Sequence, residues 1–477
     1  MLNNIISHIN DALYSYILII VLVLGGLYFT LRTKGVQFRL LGEQIRSVTE
    51  KPKGKGSVSS FQALMVSTAS RVGTGNIIGV STALCLGGFG SVFWMWVVAL
   101  VGSASAFVES TLAQIYKKNG PDRCYGGPAY YIEVATKNRV LSIIFTLFLI
   151  VTYGAGFNML ASYNLQSTFS AYEFYNFNVN IPVINTEVNI VPWLIGLITA
   201  VLVCFCLFGG GKRLINATTA IVPVMGLAYI LVALVISIIN IRLLPDVFTR
   251  IFAEAFDLQA IFGGFTGSCV MLGIKRGLFS NEAGVGSAPN ASASAEVSHP
   301  VKQGLVQILS VFIDTLLVCS ATAFMCISSG IEPSAEMSGA PYIQAAMRET
   351  LGVAGPIFIT VAMVLFAFTT LLGNLFYVEK AFNYLFGRQP GKIFMTVYRL
   401  VASLLIFVGA GLSADLLWNL SDVFMGGMTL INMPVILIMG THAFKALDDY
   451  VRQRKAGTDP VFKSKNIGIE NTDYWQN

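Results

Sequence analysis

Long apolar stretches constrain this 477-residue chain more than any other feature of its sequence. About 20 consecutive apolar residues in a helix are enough to cross the ~30 Å hydrocarbon core of a membrane. An open sheet edge or an irregular loop cannot face lipid, because its backbone polar groups would lack partners. The sequence therefore predicts an all-α polytopic membrane protein with about 11 transmembrane helices. The predicted spans cover residues 13–32, 58–86, 89–116, 139–170, 190–209, 214–241, 255–289, 303–329, 351–386, 393–412 and 414–444.

The composition excludes several classes of protein. Hydrophobic residues make up 55% of the chain and charged residues 12%, whereas a soluble domain carries about 25% charged residues. A disordered chain and a nucleic-acid-binding protein are both excluded on these grounds. Seven cysteines without a CxxC pair, together with three histidines, argue against a disulfide scaffold or a zinc module. The sequence contains no nucleophile–base pattern of an enzyme, and no obligate protein partner is evident.

Lysine and arginine concentrate in every other loop, which indicates the orientation of the chain in the membrane. We predict that the N-terminus lies outside and the C-terminus in the cytoplasm. The net charge of +6 then reflects topology, and no anionic partner is needed to explain it. The first span lacks the basic flank and the small-residue cleavage site of a signal peptide. The basic residues of the cytoplasmic side are predicted to lie in segments 32–55, 117–139, 212–213, 302, 388–392 and 445–455.

Span two contains a polar, glycine-containing interruption at residues 69–79 (ASRVGTGNIIG). Glycine tolerates non-helical dihedral angles, and unwound backbone at membrane depth persists only where it lines a cavity or is buried in protein. At such a break, freed carbonyls can bind a cation, and the N-terminus of the half-helix can bind a carboxylate. The alternative interpretation is close helix packing through small residues.

Span seven contains a second candidate interruption, at residues 263–268 (GGFTGS), five spans after the first. Interrupted helices at corresponding positions of two halves are typical of transporters built from inverted repeats. The same span continues into a Gly- and Ser-rich run at residues 279–290 (FSNEAGVGSAPN), which contains Glu282. Two interpretations of this run stay open: an inner gate, or a helix end with close packing.

Two adjacent hydroxyls in span nine, Thr369 and Thr370, could face these interruptions. They could be ligands for sodium, a hard cation that prefers oxygen, or they could bond to their own helical turn. Three ionisable residues, Arg71, Glu109 and Asp314, also lie inside spans, where charge is costly and usually faces the bundle interior. Arg71 either pairs with an acidic residue as a structural bridge or takes part in gating.

Three stretches carry a resemblance to a known family: residues 71–77 (RVGTGNI), 276–289 (RGLFSNEAGVGSAP) and 366–373 (FAFTTLLG). The chain resembles the alanine or glycine:cation symporter family over nearly its whole length. The resemblance implies a secondary transporter of small amino acids driven by sodium, sometimes by protons, with a fold similar to the LeuT-like 5+5 inverted repeat. It implies one membrane transport domain (1–477) that comprises an added N-terminal helix (13–32), a first repeat (58–241), a second repeat (255–444) and a cytoplasmic tail (445–477).

The resemblance also implies roles for individual positions. Amides at the first break would bind the substrate carboxylate, and carbonyls at the second would bind its ammonium group. The implied substrate-binding residues are Thr74, Gly75, Asn76, Phe157, Ala161, Phe265, Thr370 and Asn374. The implied sodium ligands are Ala69, Val72, Thr369 and Thr370. Arg71 and Glu282 are the gating or structural candidates that the residues themselves indicate. The side-chain oxygen of Asn76 could contribute to another ion site.

Two departures from the common family pattern affect the expected substrate. Many members carry Gln at the position of Ala161 and Trp at the position of Asn374. We therefore expect a wider pocket here, and serine or glutamine joins alanine and glycine as an expected substrate. The leading hypothesis is a sodium-coupled symporter for small neutral amino acids in a bacterial-type inner membrane, with sodium as coupling ion and no cofactor. The alternatives are a proton-coupled amino-acid transporter and an uncoupled, channel-like permeation protein.

Overall fold

The computed structural model describes residues 6, 8–10, 12–50, 57–120, 124–181, 186–257 and 268–475. Within these residues, eight helical segments are long and apolar enough to cross a membrane. This confirms the prediction of an all-α polytopic membrane protein. The eight segments are Gly90–Ile115, Arg139–Ala171, Val191–Phe208, Gly210–Ile239, Pro300–Ile327, Ala354–Phe386, Lys392–Gly409 and Ala414–Lys455.

The described α-helices are numbered here in chain order. They are α1 (Leu18–Arg32), α2 (Val36–Arg39), α3 (Leu41–Val48), α4 (Ser60–Arg71), α5 (Val80–Gly87), α6 (Gly90–Ile115), α7 (Pro128–Thr136), α8 (Arg139–Val151), α9 (Phe157–Ser167), α10 (Val191–Phe208), α11 (Gly210–Ile239), α12 (Leu244–Ala255), α13 (Cys269–Asn281), α14 (Pro289–Ser292), α15 (Pro300–Val311), α16 (Ser320–Ile327), α17 (Ala340–Leu351), α18 (Ala354–Phe386), α19 (Lys392–Gly409) and α20 (Ala414–Lys455).

Shorter elements join these helices. Strands β1 (Asn178–Ile181) and β2 (Thr186–Asn189) pair antiparallel as a hairpin. The π-helical turns are Leu13–Ile17, Gly75–Gly79, Thr152–Gly156 and Phe312–Cys319, and the 3-10 turns are Thr168–Ala171, Glu173–Tyr175, Ile241–Leu243, Ala335–Met337 and Ser464–Ile467.

The eight crossing segments match eight of the eleven predicted spans, and the other three predicted spans correspond to shorter or divided helices. The first predicted span corresponds to a π-helical turn that leads into α1. The second is divided between α4 and α5, and the seventh is represented by α13 and α14 on either side of an interruption. The last helix, α20, continues to Lys455, eleven residues beyond the predicted end at 444, so the beginning of the predicted tail is helical. The division into two inverted repeats stays a prediction.

Helix α4 carries the first interruption, and local signals define both of its ends. At its start, the Ser59 side chain accepts a hydrogen bond from the Gln62 amide, and the Gln62 side chain accepts one from the Ser59 amide, which forms a capping box. At its end, Val72 leaves the helical region with a ψ of 86°. The Gly73 amide then donates to the side-chain oxygen of Asn76 at 2.7 Å. The chain therefore re-enters a helical turn after a short break.

The first and last long helices of the chain pack against each other. The fit is close at Gly25, where an added Cβ would lie 2.2 Å from Cε of Met433 on α20. Ahead of α1, the Asn10 side chain donates to Asn419 at 2.8 Å, and the Tyr14 hydroxyl donates to the backbone oxygen of Asp422 at 3.2 Å. The N-terminal helix is therefore an integral part of the bundle.

The segment after α20, residues 456–475, folds back onto the end of the bundle, and we call it the C-terminal strap. Its Phe462 amide donates to the Ser298 oxygen at 3.0 Å, and its Trp475 indole donates to the Gln114 oxygen at 2.7 Å. Lys117 lies 4.0 Å from the centre of the Tyr474 ring. Burial lowers the pKa of Lys117 to about 8, because removal from water penalises the charged form.

Candidate functional site

The first interruption brings residues of α4 into contact with the middle of α18. The Thr370 hydroxyl donates to the Ala69 carbonyl at 3.1 Å. An added Cβ on Gly73 would lie 2.1 Å from the Thr370 hydroxyl oxygen, so only glycine fits there without displacement. One turn along α18, a Cβ on Gly373 would lie 2.7 Å from the Ser70 amide nitrogen. Small residues therefore hold the end of α4 directly against α18.

The two neighbouring threonines of α18 have different surroundings. Thr369 bonds to its own helix through the Leu365 and Phe366 carbonyls, at 2.9 and 3.1 Å, and its hydroxyl lies 3.4 Å from the Met225 sulfur. Of the predicted sodium ligands, the structure brings Thr370 and Ala69 together. The Thr369 hydroxyl instead lies next to Met225, and no contact joins Val72 to the Thr370 hydroxyl among the described hydrogen bonds.

A buried carboxylate lies on the other side of the first interruption. Asp314, in a π-helical turn, accepts hydrogen bonds from Asn76 at 2.7 Å, Ser280 at 2.8 Å and Thr315 at 2.8 Å. Asn76, Ser280 and Asp314 come from three different segments and are all at most 1% exposed. Charge-assisted hydrogen bonds of this kind are stronger than neutral ones. The NH2 group of Asn76 thus faces Asp314, and its side-chain oxygen, suggested for a second ion site, accepts from the Gly73 amide.

The described break of the seventh span lies at a different run from the one at residues 263–268, and the interruption predicted there stays a prediction. Residues 263–267 and the predicted ligand Phe265 fall outside the described residues, and Ser268 caps the start of α13. Helix α13 instead ends at Asn281, and the chain leaves the helix at Glu282, where φ is 52°. Gly284 and Gly286 follow with φ of 84° and 91°, a region that favours glycine. The Gly- and Ser-rich run around Glu282 therefore forms the described break.

Side chains from distant helices hold this second break in place. Asn432 of α20 donates to the Gly284 oxygen and to Glu109 of α6, both at 2.9 Å. The Asn432 oxygen accepts from the Tyr131 hydroxyl at 2.6 Å. Glu282 accepts from the Ser287 hydroxyl at 2.5 Å. The polar groups of the unwound segment are thus satisfied by side chains, as buried polar groups require.

The described hydrogen-bond partner of Arg71 is a neutral amide, and its pairing with an acidic residue stays a prediction. Its Nη1 donates to Gln307 at 2.9 Å, and Gln307 in turn donates to Ser67 at 3.0 Å. None of the ion pairs among the described residues includes Arg71, and its Nε and Nη2 form no hydrogen bond. Buried charges without a full set of partners are costly. The Nε and Nη2 donors of Arg71 are therefore available to new partners in a rearranged site.

Buried carboxylates outnumber cations around the two interruptions. Glu109, Glu282 and Asp314 are each at most 1% exposed, and Arg71 is 2% exposed. The positive charge of Arg71 acts on all three carboxylates. With every group ionised, three negative charges face one positive charge. A small cation, whether a metal ion or a proton, would reduce this imbalance.

Aromatic side chains separate the two interruptions from one end of the bundle. The Phe157 and Phe279 rings lie 4.6 Å apart, and the Phe279 and Trp418 rings lie 4.8 Å apart, between centroids. An added Cβ on Gly75 would lie 3.1 Å from the Phe279 ring. Thr74, next to Gly75, accepts a hydrogen bond from Asn164 at 3.0 Å. This aromatic layer therefore covers the predicted carboxylate-binding turn.

The two positions that depart from the common family pattern are both buried. Ala161 lies on α9 and is part of the packed core. Asn374 accepts from the Ser70 hydroxyl at 2.6 Å and donates to Asn158 at 3.0 Å. Both ends of the Asn374 amide are therefore engaged, and this residue ties α18 to α4 and α9.

A family model described as the sodium:alanine symporter family matches residues 1–464. The chain belongs to this family. It is therefore a transporter of the symporter class and not an enzyme. Among relatives of this symporter, the amino-acid carrier protein AlsT of Bacillus subtilis is 42% identical over 99% of this chain and 98% of its own length. The probable sodium/glutamine symporter GlnT of the same organism is 40% identical, over 97% and 93%.

Two further comparisons concern the coupling ion and the fold of this symporter. A sodium/proton-dependent alanine carrier protein of Bacillus sp. strain PS3 is 35% identical over 91% of this chain and 97% of its own length. A solved Na+-coupled sialic acid symporter in a substrate-bound outward-open state superposes with a TM-score of 0.50, over 94% of this chain and 93% of that one. Its sequence identity is 14%, so this likeness concerns the fold alone.

Sequence reasoning missed three polar residues that build the site of this symporter. Gln307 is the partner of Arg71, Asn432 holds the second break, and Ser280 bonds to Asp314. A lone amide within an apolar span, as at Asn432, is the signal that could have identified one of them, because an unpaired amide in lipid is costly. Ser280 lies inside the motif that carries the family resemblance.

Proposed function

We propose that this chain imports small neutral amino acids together with sodium across a bacterial inner membrane, with its N-terminus outside. The carrying observation is that two interrupted helices meet at one buried site with three carboxylates and one arginine. Interrupted helices supply free amides and carbonyls for a zwitterion, and the negative charge of the site favours a co-bound cation. Alanine and glycine are the primary substrates, with serine and glutamine as wider candidates.

In this proposal the first interruption binds both substrate and ion. The amides of Thr74, Gly75 and Asn76 receive the substrate carboxylate, and sodium binds between the Thr370 hydroxyl and the carbonyls of Ala69 and Val72. The contact of Thr370 with Ala69 supports this assignment, because it places a hydroxyl and a carbonyl oxygen side by side. Hard cations such as sodium bind to oxygen ligands of this type.

The relatives support the choice of substrates, and their names include two coupling cations, sodium and the proton. One relative is named a probable sodium/glutamine symporter, and another is named a sodium/proton-dependent alanine carrier. A proton-coupled mechanism would use a buried carboxyl group as the carrier, and Asp314 is the candidate beside the first interruption. Sodium is preferred here because the Thr370 hydroxyl and the Ala69 carbonyl place two oxygen ligands side by side at the first interruption.

The test is uptake of labelled alanine by purified protein in proteoliposomes. We expect accumulation against a gradient that stops when external sodium is replaced by potassium or choline. A competition panel of glycine, serine and glutamine defines the substrate range. Uptake that only equilibrates would support the uncoupled, channel-like alternative, and accumulation driven by a pH gradient without sodium would support proton coupling.

Asp314→Asn separates the two ions within the same assay. The asparagine keeps the shape of the side chain but removes its charge, so we expect the half-saturating sodium concentration to rise about 10-fold. Under proton coupling, the variant would instead lose pH-driven uptake at every sodium concentration.

A further inference from the structure

The short segment that follows α1 carries its apolar side chains on the outside. Phe38 of α2 and Leu41 and Ile45 of α3 are 59%, 48% and 58% exposed, and we call these three residues the apolar stripe. Leu41 and Ile45 lie one turn apart on α3 and therefore share one face of that helix. Clustered apolar side chains at a surface mark a contact with a protein or with a membrane.

The side of the same segment that packs against the bundle is polar. Gln37, Gln44 and Ser47 are at most 3% exposed. Gln37 donates to the Leu100 carbonyl of α6 at 3.3 Å, and Gln44 donates to the Gln37 carbonyl at 2.8 Å. A helix on the surface of a protein in water has the opposite arrangement, with its apolar face toward the core. The reversal indicates that the apolar stripe does not face water.

Cations border the apolar stripe. Arg39 and Arg46 are both exposed, and each directly follows a member of the stripe in the sequence. Neither residue forms an ion pair among the described residues. The acidic residue of α3, Glu43, is already paired with Arg454 at 2.8 Å. The charge that this segment presents at its surface is therefore positive.

The position of the segment places it at the membrane surface. The predicted first span ends with α1 at Arg32, and α2 begins at Val36, so the segment starts where the span meets the lipid headgroups. Beyond α3, Glu50 accepts from the Lys302 ammonium at 3.0 Å. Lys302 also donates to Asp459 of the C-terminal strap at 3.2 Å. The segment therefore lies at the same end of the bundle as the strap.

We propose that α2 and α3 form an interfacial anchor that binds anionic phospholipid in the leaflet at this end of the bundle. The apolar stripe enters the boundary between headgroups and acyl chains, and Arg39 and Arg46 contact the lipid phosphates. Helices that combine an apolar face with flanking cations bind membranes in this way, and each basic residue near an anionic surface strengthens the attraction. A second copy of the segment is a poorer partner, because it would present the same cations.

The anchor is joined to helices that end on this side of the molecule. Glu43 bonds to Arg454 of α20, and Glu50 bonds to Lys302 of α15. A lipid-bound anchor therefore holds both helix ends and, through Lys302, the strap. Ligands that bind only the folded state stabilise it. We therefore expect anionic lipid to stabilise the whole bundle.

Photocrosslinking of the full-length protein in vesicles of phosphatidylcholine and phosphatidylglycerol tests the contact. The photoreactive residue p-benzoylphenylalanine is introduced at Ile45, and mass spectrometry identifies the attached molecule. We expect phospholipid adducts at this position. The matched control carries the same photoreactive residue at Thr458, an exposed polar residue of the strap, and should give several-fold fewer lipid adducts. Crosslinks between two copies at Ile45, without lipid adducts, would assign the stripe to an interface between chains and overturn the proposal.

Thermal melting in nanodiscs tests the choice of an anionic lipid. Phosphatidylglycerol in a phosphatidylcholine disc should raise the melting temperature of the native protein. Arg39→Gln with Arg46→Gln should make this rise several-fold smaller, because the cations nearest the stripe are lost. Lys463→Gln with Lys465→Gln is the matched control, since it removes two exposed cations of the strap and changes the net charge equally. That control should keep the rise.

Ile45→Ser tests the apolar stripe by itself. A position that faces water tolerates serine, whereas a position in the membrane interface loses favourable burial. We expect Ile45→Ser to lower the melting temperature in both kinds of nanodisc. An unchanged melting temperature for this variant would overturn insertion of the stripe. An equal phosphatidylglycerol-dependent rise in both arginine and lysine double variants would overturn lipid binding by Arg39 and Arg46. These measurements contain no transport step, so their outcomes are independent of the proposed function.

Discussion

At the scale of single residues, Gly73 is the position where the first interruption tolerates least change. An added Cβ would lie 2.1 Å from the Thr370 hydroxyl oxygen, so Gly73→Ala must displace Thr370 or the unwound backbone. Overpacking of this kind costs about 1–3 kcal/mol, and we expect sodium-driven alanine uptake to fall about 10-fold or more. The control is Gly226→Ala on α11, where an added Cβ meets nothing within 4 Å. Equal uptake by both variants would contradict the assignment of the first interruption.

The two threonines of α18 offer a matched pair at the same scale. Thr370→Ala removes the hydroxyl that contacts the Ala69 carbonyl, and we expect the half-saturating sodium concentration for uptake to rise about 10-fold or more. Thr369→Ala removes a hydroxyl that bonds to its own helix, so its sodium dependence should change less. The measurement is the sodium dependence of uptake at saturating alanine. A larger effect of Thr369→Ala would place the ion on the Met225 side of α18.

At the scale of elements, the second interruption depends on a side chain from the far end of the sequence. Asn432→Ala removes the side-chain donor to Glu109 Oε2 and to the Gly284 carbonyl, and each unsatisfied buried group costs about 1–3 kcal/mol. We expect a lower melting temperature of the detergent-solubilised protein. Thr429→Ala, on the same helix, removes a hydroxyl that bonds only to Met425 and should melt close to the native protein. Similar melting of both variants would show that other groups hold the break.

How well an element can be predicted depends on the pattern that it leaves in the sequence. Apolar length alone identifies the crossing helices, because lipid permits few alternatives. The break at Glu282 was harder to locate, since two glycine-rich runs lie in the same span and sequence does not reveal which backbone adopts positive φ. Arg71 and Gln307 could not be paired in advance, because a neutral amide 236 positions away gives no charge signal. The contacts between α20 and the second break also join residues that are far apart in the sequence, so no local pattern predicts them.

At the scale of the whole molecule, the C-terminal strap joins the end of α6 to the start of α15. Trp475 is 7% exposed and bonds to the Gln114 carbonyl, and burial of a tryptophan contributes about 3–5 kcal/mol. Trp475→Ala should therefore lower the melting temperature of the solubilised protein, and Trp475→Phe, which keeps a ring but loses the hydrogen bond, should lie between. An unchanged melting temperature for Trp475→Ala would show that the strap is not docked in solution.

The packing of α1 against α20 has a consequence for biosynthesis. The first membrane helix leaves the ribosome hundreds of residues before Met433 and Asp422, its partners on the last helix, exist. Until then, the Asn10 and Tyr14 side chains lack their hydrogen bonds to the last helix. Glu109 likewise lacks the hydrogen bond that Asn432 donates. Translation of the last helix completes these contacts together. A chain that ends before the last helix therefore leaves these buried polar groups without their partners, and each unsatisfied group costs about 1–3 kcal/mol.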